Sequence, residues 1–111
     1  MTHKVLLVHY HLRPGGVSTV LRLQAGALRD RGHQVVIASG ESAPPIDGIP
    51  HHVLPGLGYR DAPLTASAIA ALAGQLVDLA DGGVVHIHNP CLGKNPSWPD
   101  LVNTLAARGQ P

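Results

Sequence analysis

Residues 4–17 read Lys4-Val5-Leu6-Leu7-Val8-His9-Tyr10-His11-Leu12-Arg13-Pro14-Gly15-Gly16-Val17, and this stretch decides the fold. Lys4 to Val8 is a continuous apolar run rather than an alternating one, as expected of a strand buried on both faces of a parallel sheet. Pro14 and the paired glycines break the pattern. From Val17 onward the apolar residues Val17, Val20, Leu21, Ala25 and Leu28 recur at helical spacing, so a helix is expected to begin at Val17 or Ser18. Arg29, Arg31 and Gly32 close it, because basic residues complement the negative end of the helix dipole and glycine accepts the left-handed conformation that stops it. The order is strand, glycine turn, helix.

The same alternation continues along the chain. Gln34 to Ser39 reads as a second strand, Gly40 to Pro50 as a loop rich in proline and small residues, and His51 to Leu54 as a short third strand. Leu64 to Ala80 has Ile69, Leu72, Leu76 and Leu79 on one face and predicts an amphipathic helix, ended by Asp81-Gly82-Gly83. Val84 to His88 is a fourth strand and Asn89 to Pro96 a loop. Ser97, with Asp100 three residues later, reads as a capping box for a last helix that runs to Arg108. Strands alternating with helices imply right-handed crossovers and a parallel sheet between helical layers. The expected class is therefore α/β, a Rossmann-like three-layer sandwich with a mostly parallel sheet of about four strands. A helix followed by Arg108-Gly109-Gln110-Pro111 ordinarily feeds another strand, so residues 1–111 are expected to form a single partial domain, incomplete at its C-terminal end.

Composition narrows the function classes. With 111 residues, 44% of them hydrophobic and 14% charged, the chain suffices for one core and no more. Eight Lys and Arg stand against seven Asp and Glu, for a formal charge of +1. The basic residues do not cluster, which argues against nucleic acid as a partner. The single cysteine, Cys91, excludes an intramolecular disulfide and suits a reducing compartment, so a cytoplasmic location is expected. The first apolar run ends at Val8, too short for a signal-peptide core or an integral membrane segment.

In an open parallel sheet, ligands bind beyond the carboxyl ends of the strands. Two segments are expected there, His9 to Gly16 and His88 to Pro96. In the common doubly wound order the first and fourth strands are neighbours, so both segments face one crevice. Gly15 and Gly16 immediately precede a helix, where free N–H groups and the positive dipole end can hold an anion such as phosphate. Their pattern is neither G-x-G-x-x-G nor a P-loop, and a tight turn accounts for it equally well. His9 with His11, and His86 with His88, have the i, i+2 spacing that places two rings on one side of a strand, where they can chelate zinc. That leaves a metal-dependent hydrolase as one alternative. However, none of the acids Asp30, Glu41, Asp47, Asp61, Asp78, Asp81 and Asp100 adjoins either pair, and no metal is expected. Cys91 lacks an orienting partner and reads as a buried free thiol, not a nucleophile. Lys94 can reach an anion in the crevice, although a solvated loop lysine explains it as simply. His33, His51 and His52 read as polar loop or strand-edge residues.

Taken together, the run from Lys4 to His9, Pro14-Gly15-Gly16-Val17, the turn from Arg31 to Val35, and Val84-Val85-His86-Ile87-His88-Asn89-Pro90 resemble the N-terminal domain of a family-4 glycosyltransferase. The resemblance covers nearly the whole chain except Glu41 to Tyr59. It implies a retaining enzyme of the GT-B type, with two Rossmann-like domains facing each other across a cleft. Such an enzyme moves a sugar from a nucleotide-sugar donor to an acceptor hydroxyl and needs no bound metal or other cofactor. Gly15 and Gly16 match the glycine loop that approaches the donor diphosphate. His88 matches a catalytic histidine whose ring lies near the transferred sugar or the attacking hydroxyl; with an unperturbed pKa of about 6.5 it can exchange a proton or donate a hydrogen bond there. His86 is expected to support the sheet edge. The basic residues that grip the donor, and the carboxylate that holds its ribose, belong in that family to the C-terminal Rossmann domain. This sequence has no residues for that domain, so the chain alone is expected to be inactive. A non-catalytic phosphate- or nucleotide-binding module using the same crevice is a further alternative.

Overall fold

The computed structural model describes residues 3–44, 46, 48–88 and 94–111, with Val17 described in its backbone alone. Four strands, β1 (Lys4–Val8), β2 (Gln34–Ser39), β3 (His51–Val53) and β4 (Val84–Ile87), pair in parallel in the order β3-β2-β1-β4. Val5 lies opposite both Val35 and Val84, and Leu7 opposite both Ile37 and His86. The apolar run that opens the chain is thus a central strand. Its lack of alternation follows from covering on both faces: Leu7 joins a core with Leu21, Ala25, Val35 and Ile37 from one side, while Leu6 and Val8 join the core on the other. The first face is covered by α1 (Gly16–Asp30), the second by α2 (Ala66–Ala80) and α3 (Trp98–Ala107). The result is the expected α/β, Rossmann-like arrangement, a parallel sheet between two helical layers.

Element ends differ from the sequence expectations for local reasons. The first helix starts at Gly16, earlier than Val17, with Gly15 as its cap. Val20, expected on the buried stripe, is 56% exposed, and the stripe runs instead through Leu21, Ala25 and half-buried Leu28. The third strand stops at Val53, because Leu54 leads into a 3-10 turn at Pro55–Leu57. The second helix begins at Ala66, where the Thr65 hydroxyl accepts the Ala68 N–H at 3.2 Å in the usual capping manner. The fourth strand ends at Ile87, one residue before His88. The expected capping box at Ser97 is absent. Ser97 has helical backbone, and its hydroxyl accepts the Leu64 N–H at 2.6 Å, tying the start of α2 to the start of α3.

The turns do what their residues allow. Gly32, after α1, has φ +85°, and Asp81 caps α2 in the left-handed conformation before Gly82. At the outer edge of β4, the Val85 N–H donates to the Pro111 carbonyl at 2.9 Å and the Gln110 side-chain amide to the Gly83 carbonyl at 2.8 Å. Among the described residues, no helix is long and apolar enough to cross a membrane.

Candidate functional site

The sheet brings β1 and β4 together as neighbours, so the segments that leave their carboxyl ends start side by side. His9 prolongs β1, its N–H bonded to the Ala38 carbonyl at 3.2 Å, and His88 prolongs β4, its N–H bonded to the Val8 carbonyl at 2.9 Å. The His9 ring is only 2% exposed. Its Nδ1 lies 3.5 Å from the His88 carbonyl, a partner to which a ring nitrogen can only donate, so Nε2 is left as the acceptor. The two rings meet edge to face at 6.4 Å. His88 also stacks on His86 at 4.5 Å with the planes 14° apart, and its Nε2 is buried without a hydrogen-bond partner. Asn89, Pro90 and Cys91, which follow it, lie outside the described residues.

Both rings are held neutral. Burial, above all, pulls the His9 pKa below its ordinary 6.5, against a smaller opposing effect of its hydrogen bond to the His88 carbonyl. Burial likewise lowers that of His88, and the neighbouring His86 adds to the effect. His11 and His51 are shifted the same way, again chiefly by burial. The sign for stability follows. The unfolded chain takes up protons at these rings near pH 6.5 while the folded chain does so only at lower pH, so stability is complete above 6.5 and falls as pH drops below it. Thermal melts across this window should show the midpoint falling with acidity before carboxylates titrate. A flat profile would show that the four rings are not desolvated in the fold.

Several ring nitrogens of the H-x-H pairs already have partners. His11 has both nitrogens engaged: Nδ1 accepts the Arg13 N–H at 3.1 Å, which leaves the proton on Nε2 to donate to the Tyr59 hydroxyl at 3.0 Å. His86 Nδ1 meets the Gln24 amide at 3.0 Å. Among the described residues, no three His, Cys, Asp or Glu side chains are grouped to hold a metal ion.

Gly15 and Gly16 stand at the start of α1. Gly15 is extended (φ 160°, ψ 178°), and no side chain caps the helix. The Gly15 carbonyl accepts both the N–H and the hydroxyl of Thr19, at 3.0 and 2.9 Å. The N–H groups of Gly16, Val17 and Ser18 belong to the first turn, which has no intrahelical acceptor for them. A Cβ built on either glycine meets nothing within 4 Å, and neither residue is left-handed. The backbone here therefore does not itself require glycine, and there is open space where a side chain would begin at either position. Ser18, only 3% exposed, has a hydroxyl without a partner in the same turn.

Sequence reading placed His88 to Pro96 at the crevice but missed residues 55–60 and the bonds that join them to Asn95 and Trp98. Asn95 is buried; its amide donates to the carbonyls of Gly56 and Gly58 at 2.8 and 2.6 Å, while its own carbonyl accepts the Ser97 N–H at 3.0 Å. The Trp98 indole donates to the Leu57 carbonyl at 3.0 Å. These bonds pin Leu57 to Gly58 against the start of α3 and present Tyr59 beyond them. Tyr59 is 46% exposed, edge-on to Tyr10 at 5.2 Å and to His11 at 5.1 Å. Beside it, the Arg13 guanidinium is clamped by both Glu41 carboxylate oxygens. An open depression of about 570 Å³ is lined by Tyr59, Arg60, Asp61, Lys94 and Pro96. One sequence signal pointed here. Phe is absent and there are two Tyr and one Trp, and all three rings meet, Tyr10 lying 4.0 Å from Trp98.

Comparison with known proteins gives a family for this geometry. Residues 14–98 of the 111 match the family model described as Glycosyltransferase Family 4. The matched range contains the glycine loop, the His88 position and the Tyr59 depression. No curated protein matched the chain.

Proposed function

We propose, because the chain belongs to glycosyltransferase family 4, that it forms the N-terminal, acceptor-side Rossmann-like domain of a retaining glycosyltransferase. Its reaction moves a sugar from a nucleotide-sugar donor to an acceptor hydroxyl. The observation that carries this reading is the glycine loop: among the described residues no side chain caps the first-turn N–H groups of Gly16, Val17 and Ser18, and a Cβ built on Gly15 or Gly16 meets nothing within 4 Å. An anion placed there meets hydrogen-bond donors and the positive end of α1, and the absence of a Cβ lets a diphosphate approach the main chain closely.

In this reading the loop stabilises charge as it builds on the leaving diphosphate. Fixed donors act strongly on such charge because they need not reorganise when it appears. His88 serves as the group near the transferred sugar. Kept neutral by burial and with Nε2 unpartnered, it can accept a hydrogen bond from, or exchange a proton with, a sugar or acceptor hydroxyl. In this reading the donor nucleotide is held by a second Rossmann-like domain, and residues 1–111 supply the loop that faces its diphosphate.

Titrating isotopically labelled protein with inorganic pyrophosphate tests the reading. The amide signals of Gly15, Gly16, Val17 and Ser18 should move together, and Gly16→Val should weaken binding about tenfold, or about 1.4 kcal/mol, without shifting the melting temperature. Silent amides, or a variant that binds as well as the parent, would remove the observation on which the reading stands.

A further inference from the structure

We propose that the depression beside Tyr59 is an acceptor subsite for a sugar or polyol that carries an acidic group, a phosphate or a carboxylate. The inference rests on the acceptor-side reading above and adds to it the chemical class of the acceptor.

Three observations support it. The first is placement. Residues 58–60 follow β3 and residues 94–96 precede α3, so both segments lie at the carboxyl end of the sheet, where Tyr59 touches His11 from the segment that follows β1. The Arg60 N–H donates to the Lys94 carbonyl at 2.9 Å, which joins the two walls of the depression.

The second is a supported aromatic surface. Tyr10 and His11 both meet the Tyr59 ring edge-on, and His11 donates to its hydroxyl, so its position is set while nearly half of it stays exposed. A flat, supported ring of this kind suits the apolar face of a sugar.

The third is charge. Arg13 and Lys94 lie near the ring and Arg60 shares the lining of the depression, but the three cations are not equivalent. Arg13, 5.4 Å from the ring centroid, is neutralised by its two-pronged pair with Glu41. Lys94 Nζ stands 5.9 Å from the same centroid. Arg60 donates through Nε to the Ala62 carbonyl at 2.9 Å, which orients the guanidinium. Neither Lys94 nor Arg60 forms an ion pair among the described residues. Asp61 is the single carboxylate on the lining, so these walls carry two positive groups against one negative. A phosphate or carboxylate entering the depression meets two cations on its lining, one of them a fork suited to paired oxygens.

The test is a set of parallel titrations of the labelled chain with glucose 6-phosphate, glucuronate and glucose. The Tyr59, Arg60, Asp61 and Lys94 amides should move with the acidic sugars and not with glucose. A response to glucose 6-phosphate alone assigns a phosphate, and a response to both acidic sugars assigns any anion. Lys94→Gln and Arg60→Gln should each weaken binding about tenfold. Asp61→Asn should tighten it, an outcome that damage to the fold does not produce. Equal response to glucose, no response to either acidic sugar, or weaker binding by Asp61→Asn would overturn the proposal. Pyrophosphate in a separate titration keeps the two readings apart. If pyrophosphate moves Gly15 and Gly16 while the acidic sugars leave the Tyr59 group silent, the acidic-acceptor inference fails and the glycosyltransferase reading stands. The reverse pattern keeps an anion site and removes its role as an acceptor site.

Discussion

Replacing Trp98 with alanine should destabilise the fold by about 4 kcal/mol, enough to lower the melting midpoint of a domain of this size by roughly 20 °C. Trp98 is fully buried, its ring 4.0 Å from that of Tyr10, in the core shared by β1, α2 and α3. Truncation leaves a cavity that the surrounding structure fills only partly, and it removes the donor from the Leu57 carbonyl. Trp98→Phe separates the two contributions. It keeps most of the packing and should cost about 1–2 kcal/mol for the unpaired carbonyl. Thermal denaturation followed by circular dichroism measures both variants. A midpoint within a few degrees of the parent for Trp98→Ala would show that the indole does not join the helical layer to the 55–58 turn. The site should follow, because Tyr59 is presented by that turn, and its amide signal should shift in both variants.

The second large effect is expected at Gly40, where β2 ends. A Cβ there would collide with the backbone N and Cα of Gly58, atoms that no side-chain rotation can move away. Two chain segments approach at this point without a side chain between them, and the Gly40 N–H donates to the Tyr10 carbonyl at 2.9 Å. Gly40→Ala should therefore cost about 3 kcal/mol, since either the 55–58 turn or the end of β2 has to move. The contact is asymmetric. A Cβ on Gly58 finds nothing nearer than the Pro55 carbonyl oxygen at 3.4 Å, so Gly58→Ala should cost less than about 1 kcal/mol. Urea melts of the two variants compare them directly. Equal losses, or a larger loss at Gly58, would mean that the two turns do not meet as described.

Much of the fold was legible because burial leaves a mark on residue order. Leu6, Leu7 and Val8 are apolar in succession because neighbouring side chains enter opposite cores, and Leu72, Leu76 and Ala80 recur on one face because α2 has one core to cover. The glycine loop was visible as a motif, while the clearance at its two Cβ positions appears only in three dimensions. Ser97 shows the converse. Its spacing from Asp100 fits a capping box, yet the nearer donor in space is the Leu64 N–H, a residue 33 positions away. A local rule yields wherever a distant segment offers the better partner. Two histidine nitrogens likewise find partners remote in sequence, His11 Nε2 at Tyr59 and His86 Nδ1 at Gln24.

Periodicity and turn residues determined the α/β class, the central place of the first strand, and the two segments at the carboxyl ends of β1 and β4. These are properties of short windows, set by backbone conformational preference and by which faces water must not reach. Tertiary structure alone decided that Asn95 and Trp98 hold the 55–58 turn, that Glu41 neutralises Arg13 while Lys94 and Arg60 stay unpaired among the described residues, and that Tyr59 is the surface they flank. Those contacts join residues 28 to 41 positions apart. Hydrogen bonding and charge pairing depend on distance in space, which no window of sequence encodes.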